Sequence, residues 1–170
     1  MQLLIQNKLP AMKILIEKFI SAIFILFICT ACLHANAQSE NKTFDKALAD
    51  SLGADEYGMK MYVLVMLKTG TNTTESKQAT DSLFAGHMQN ILKLVEMKKL
   101  VVSGPLQKNE KNYRGIFILN VKTLEEAQAL IYTDPAVKAK LLDADMFLWY
   151  GSAALPIYLP YHDKVQKTKF

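Results

Sequence analysis

Asp81-Ser-Leu-Phe-Ala-Gly-His-Met-Gln-Asn-Ile-Leu-Lys-Leu-Val-Glu-Met-Lys-Lys-Leu-Val-Val-Ser-Gly-Pro105 changes its period partway along, and that change decides the fold. Leu83, Phe84, His87, Met88, Ile91, Leu94 and Val95 recur every three or four residues, so a helix turns them to one side. Ser82, Gln89, Lys93, Glu96 and Lys98 then face water, and the helix is expected from about Glu75 to Lys98. Leu100-Val101-Val102 follows as a short strand and stops at Ser103-Gly104-Pro105. The apolar side of the helix carries a single histidine, His87. Gly86 beside it costs about 1 kcal/mol relative to alanine in a helix, and such a glycine often marks a place where something must come close.

Upstream, Tyr57 to Lys68 is a strand whose middle, Met61-Tyr62-Val63-Leu64-Val65-Met66-Leu67, is apolar on both alternations. Such a strand is expected to be covered on both faces. Thr69-Gly70-Thr71-Asn72 ends it. Downstream, Gln107 to Tyr113 is a polar connection to a third strand, Arg114 to Val121, in which Gly115 interrupts the side-chain row. Thr123-Leu124-Glu125-Glu126 has the form of a capping box, with the Glu126 carboxylate reaching back. Leu124, Ala127, Leu130 and Ile131 form the inner side of the helix it opens. Asp134-Pro135 starts a further turn as cap and first helical residue, anchored by Val137, Leu141 and Leu142. Asp145 to Tyr150 is the fourth strand, where Trp149 and Tyr150 are expected to fill core. The order strand, helix, strand, strand, helix, strand is the ferredoxin-like βαββαβ arrangement: an α+β domain with a four-stranded antiparallel sheet and two main helices on one face.

Four parts follow in sequence. Residues 1–37 read as a signal peptide: Lys13 and Lys18 precede the uncharged run Phe19 to Ala31, and Ala35-Asn36-Ala37 offers a small-x-small cleavage pattern. Met12 is an alternative start, and retention as an N-terminal anchor is the alternative to cleavage. Residues 38–56 are a linker or a short helix ending at Gly53, with Phe44, Leu48 and Leu52 in search of a groove. Residues 57–151 are the domain. Residues 152–170 form an apolar tail, expected to be extended because of Pro156 and Pro160.

Removing Lys8, Lys13, Lys18 and Glu17 with the leader leaves 17 bases against 15 acids. That balance, with Arg114 the only arginine, gives no footing for nucleic acid. Both cysteines, Cys29 and Cys32, leave with a cleaved leader. The remainder is then compatible with an oxidising, periplasmic or extracellular location. Thr30-Ala31-Cys32 also resembles the end of a lipoprotein box, so the alternative is a lipid anchor at Cys32 in the cell envelope; otherwise no membrane contact is expected.

Gly86-His87, Ser103-Gly104-Pro105, Arg114-Gly115-Ile116-Phe117 and Thr133-Asp134-Pro135-Ala136-Val137-Lys138, in that order, resemble the YCII-related (YciI-like) family over roughly Tyr57 to Gly151. The resemblance implies a ferredoxin-like domain that dimerises face to face into an α+β barrel. It implies a site at His87 and Asp134, with the turn at Gly104-Pro105. Some relatives resemble muconolactone-isomerase-like and dehydrochlorinating enzymes acting on aromatic breakdown products. The leader and the Leu-Pro-rich tail depart from that pattern.

An imidazole changes charge near neutral pH and suits acid–base work, and Asp134 can orient its other nitrogen. The plain alternative is a hydrogen-bonded core histidine and an aspartate that only caps a helix. Ser103 and Gly104 are candidate contacts to a substrate oxygen, and Arg114 to a substrate carboxylate. Ser103 serves otherwise as turn chemistry and Arg114 as a solvated strand end. His162 lies in a polar stretch and is expected to be exposed. No cysteine or paired-histidine metal motif, phosphate loop or dinucleotide fingerprint remains, so neither metal nor cofactor is expected. The sequence points to a His/Asp acid–base isomerase or eliminating enzyme for a small cyclic or aromatic acid. A non-catalytic small-molecule-binding or interaction module of the same fold is the alternative.

Overall fold

The computed structural model describes residues 41–168. The chain divides into two units, Met1–Phe44 and Asp45–Phe170. Expectations for the leader, the cut after Ala37 and lipidation at Cys32 lie outside the described residues. The second unit runs α1 (Lys46–Leu52), β1 (Met59–Thr69), α2 (Lys77–Glu96), β2 (Leu100–Pro105), β3 (Tyr113–Leu119), α3 (Leu124–Ile131), α4 (Pro135–Lys138), β4 (Leu142–Ser152), a 3-10 turn (Leu155–Tyr158) and α5 (Leu159–Val165).

The sheet order is β2-β3-β1-β4 with every neighbouring pair antiparallel, which is the ferredoxin-like topology. Its register sorts the side chains by face. Val63 stands opposite Leu119 and Val65 opposite Phe117, and with Leu67 and Leu142 these residues form one buried layer. Leu94 of α2, Ala127 and Ile131 of α3, and Ala136 and Val137 of α4 close over that layer. The other face carries Leu64 and Met66 opposite Ile118 and Ile116, all half-buried, and Phe147, 51% exposed. Trp149 packs on Tyr62 there, with ring centroids 5.6 Å apart, and Lys60 stands over the Tyr62 ring. β1 is therefore sealed on the helix side and only at one end of the other side, short of the double covering expected from its apolar run.

Local chemistry explains most element ends. Ser76 caps α2 by accepting from the Ala79 amide. Thr123 caps α3 by accepting from the Glu126 amide, but the Glu126 carboxylate turns away from the box to accept Lys99 at 2.7 Å. Leu124, expected inside, is 38% exposed. α1 forms without a groove for Leu48: Asp45 caps its start, Gly53 ends it at φ 69, and none of its residues is buried.

Two C-terminal expectations change. The tail is helical, not extended: Pro156 and Pro160 sit in the first positions of the 3-10 turn and of α5, where a missing N–H costs nothing. Tyr158 in that turn donates its hydroxyl to the Val101 carbonyl, so the segment leaving β4 at one sheet edge fastens to β2 at the other. Tyr150 does not fill core. It is 46% exposed and donates to Asp55 Oδ2. That bond, first among its causes, pushes the Tyr150 hydroxyl up to about 12 and holds the Asp55 carboxyl below its ordinary value. His162 is exposed, on α5.

Candidate active site

Gly86 brings the site together. A Cβ at this position would stand 2.9 Å from Pro135 Cγ, so only the bare backbone lets α2 approach the start of α4. The neighbours then meet across the same seam. His87 Nδ1 lies 2.5 Å from Asp134 Oδ2, and the other carboxylate oxygen, Oδ1, accepts the Ala136 amide at 2.8 Å. Asp134 thus caps α4 and holds the imidazole at once, as its several lone pairs allow. One turn along α2, the Thr133 hydroxyl lies 2.9 Å from Asn90 Oδ1 and 2.6 Å from the Leu130 carbonyl.

Burial makes the pairing directional. The Asp134 side chain is 2% exposed and that of His87 12%. The imidazole stacks on Phe117 at 6.0 Å and 17°, and Phe84 meets it edge-on at 6.1 Å. A carboxylate accepts, so Nδ1 carries the proton in the neutral ring and Nε2 keeps its lone pair. Among the described residues Nε2 bonds nothing, yet no side-chain nitrogen or oxygen is both buried and unpartnered. Nε2 is therefore not fully enclosed, on a side chain that is 12% exposed.

The remaining candidates divide. Ser103 pairs with Phe117 across β2 and β3, so it shares the sheet face on which the imidazole stacks, and it is exposed. Gly104 pairs with Ile116 and belongs to the opposite row, with open space where a Cβ would be. Its carbonyl explains Gly115, whose Cβ would stand 2.8 Å from it. Arg114 is the extra residue where the β1–β3 register shifts, and it is exposed. It lies three residues along β3 from Phe117, roughly 10 Å in a strand, so the structure does not bring it onto His87. Among the described residues no group of three or more His, Cys, Asp or Glu could hold a metal ion, and no helix is long and apolar enough to cross a membrane.

The sequence reading missed Asn90. It is 8% exposed, and with Asp134 it makes up the buried polar side chains among the described residues. Its place three residues after His87 on the apolar side of α2 was the available signal.

A ferredoxin-like sheet with a buried aspartate bonded to a helix histidine defines an α+β domain with one buried His–Asp pair. The model of the YCII-related domain matches residues 61–146, just over half of the 170 residues, and the chain belongs to that family. No curated protein matches it. Among solved structures it is similar to 5-chloro-2-hydroxyhydroquinone dehydrochlorinase (TftG) from Burkholderia phenoliruptrix AC1100, in complex with 2,5-dihydroxybenzoquinone. That likeness has 20% identity and a TM-score of 0.38, over 51% of this chain and 92% of the other.

Proposed function

We propose that this YCII-family chain is an acid–base catalyst in which His87 Nε2 moves a proton on a small cyclic or aromatic acid. One observation carries the reading: His87 Nδ1 is held at 2.5 Å by a buried carboxylate, and Nε2 makes no hydrogen bond among the described residues. Nε2 takes a proton from a carbon next to a carbonyl, and the electrons of that C–H bond enter a new double bond. In an isomerisation the imidazolium returns the proton to another carbon. In an elimination the leaving group departs with its electron pair. Asp134 stabilises the imidazolium in either case. Ser103, on the imidazole face, donates to the substrate oxygen. Gly104 faces the other side of the sheet and takes no part at the imidazole, and Arg114, roughly 10 Å along β3 from Phe117, can meet a substrate carboxylate only from the rim. Export through the residue 1–37 leader, or anchoring at Cys32, belongs to the same proposal, as does a homodimer built on the apolar sheet face.

The test is solvent-deuterium incorporation into a panel of small cyclic and aromatic acids, halogenated members included, followed by proton NMR with free halide as a second readout. Wild-type protein should exchange or eliminate from at least one member, and His87→Gln should not, while remaining folded. Binding of a panel member with neither exchange nor elimination would make the chain a non-catalytic binding module.

A further inference from the structure

The seam between α2 and the α3–α4 junction joins three matched pairs: Gly86 with Pro135, His87 with Asp134, and Asn90 with Thr133. The first is steric and the second is the acid–base pair. The third has no part in proton transfer. Asn90 is nevertheless 8% exposed, and a buried amide costs stability unless it is bonded. The Thr133 hydroxyl lies 2.9 Å from Asn90 Oδ1 and 2.6 Å from the Leu130 carbonyl, and its one proton, shared between them, links α2 to the last turn of α3. Thr133 immediately precedes Asp134, and its backbone therefore sets where the carboxylate points.

We propose that Asn90 and Thr133 are positioning residues that fix the Asp134 carboxylate against His87 Nδ1 and thereby select the imidazole tautomer that presents a lone pair at Nε2. The proposal rests on the acid–base reading of His87. Asp134 Oδ1 is already committed to the Ala136 amide, so a small rotation of the Thr133–Asp134 backbone swings Oδ2 off the imidazole. Side-chain rotation alone cannot recover it without giving up the cap. The alternative role for the pair is to add packing and a hydrogen bond, with no influence on the histidine.

Tautomer state separates the two. Nitrogen-15 NMR of the full chain at a pH where His87 is neutral reads the two ring nitrogens separately, and His87→Gln assigns the signals among the three histidines. Wild type should show a protonated Nδ1 and a widely separated, lone-pair Nε2. Asn90→Leu, close in volume, should shrink that separation as the Nε2–H tautomer becomes populated. Thr133→Val should do the same, and Thr133→Ser, which keeps the hydroxyl, should restore the wild-type pattern. If either Asn90→Leu or Thr133→Val folds with an unchanged separation, the positioning role is overturned. If Asn90→Leu does not fold, Thr133→Val against Thr133→Ser decides by the same criterion. The readout needs no substrate: an inactive wild type with the expected tautomer shift would defeat the proposed reaction and leave the positioning role standing.

Discussion

His87 Nδ1 and Asp134 Oδ2 meet at 2.5 Å across 47 residues of sequence, and the aspartate is the more deeply buried partner. A fully enclosed carboxylate with both oxygens bonded is costly to replace. Asp134→Ala removes a helix cap and leaves the His87 N–H without its acceptor. The loss should be roughly 2–4 kcal/mol, read as a lower urea midpoint at unchanged slope. His87→Gln should cost less, because the cap to the Ala136 amide survives.

Gly86→Ala should destabilise the domain although alanine is the better helix former by about 1 kcal/mol. Its methyl would meet Pro135 at 2.9 Å and push α2 off the start of α4. Gln89→Ala, on the exposed side of the same helix, should be neutral or slightly stabilising. Thermal midpoints of the two variants check the contrast.

The Tyr150–Asp55 bond makes a pH prediction with two limits. Tyr150 is raised, so its share of stability is whole below the free tyrosine value of 10.0 and is lost as pH rises through about 12. Asp55 is lowered, so its share is whole above 3.8 and is lost as pH falls through its depressed folded value. Tyr150→Phe should abolish the alkaline limit and only weaken the acid one, because the Tyr57 and Met59 amides still donate to Asp55 Oδ1. Burial raises Tyr62 and Tyr158 as well, so in an ultraviolet titration several tyrosines should ionise late, and the variant should lose one of them.

Leu64, Met66, Ile116 and Ile118 make an apolar row that one chain leaves half-covered. A face-to-face homodimer would cover it. Light scattering at micromolar concentration should give twice the 19.1 kDa chain mass, less any leader removed. Ile118→Lys should give a monomer with unchanged circular dichroism. A monomeric wild type would refute the dimer.

Much of the fold was legible because burial writes itself as period. Phe84, Ile91 and Leu94 kept the three- and four-residue spacing because they pack on the buried layer, whereas Met88 and Val95 of the same row are 37% and 36% exposed, and Gly86 marked a close approach that proved to be Pro135. Three features were not legible. Prolines in the tail exclude helix interiors but not helix starts, so Pro156 and Pro160 were compatible with the turns that formed. Glu126 had two partners within reach, and its local box said nothing of Lys99 arriving from the turn before β2. Asn90 looked like an ordinary helix polar residue because its partner, Thr133, lies 43 positions away. That His87 and Asp134 would meet was implied by the family resemblance, since type and place alone equally allowed a core histidine and a plain helix cap, and only register could separate Ser103 from Gly104 and Arg114.

The strap from β4 to β2 bears on how copies of this chain can aggregate. A sheet has two edges, and strand-by-strand growth into a filament needs both. Here Tyr158 takes one acceptor of β2, the Val101 carbonyl, at the residue where the β2–β3 register shifts, while β4 has no lysine or proline between Leu142 and Ser152. The strap thus loads one edge strand more than the other, and a chain truncated before Leu155 should grow turbid sooner than the intact chain.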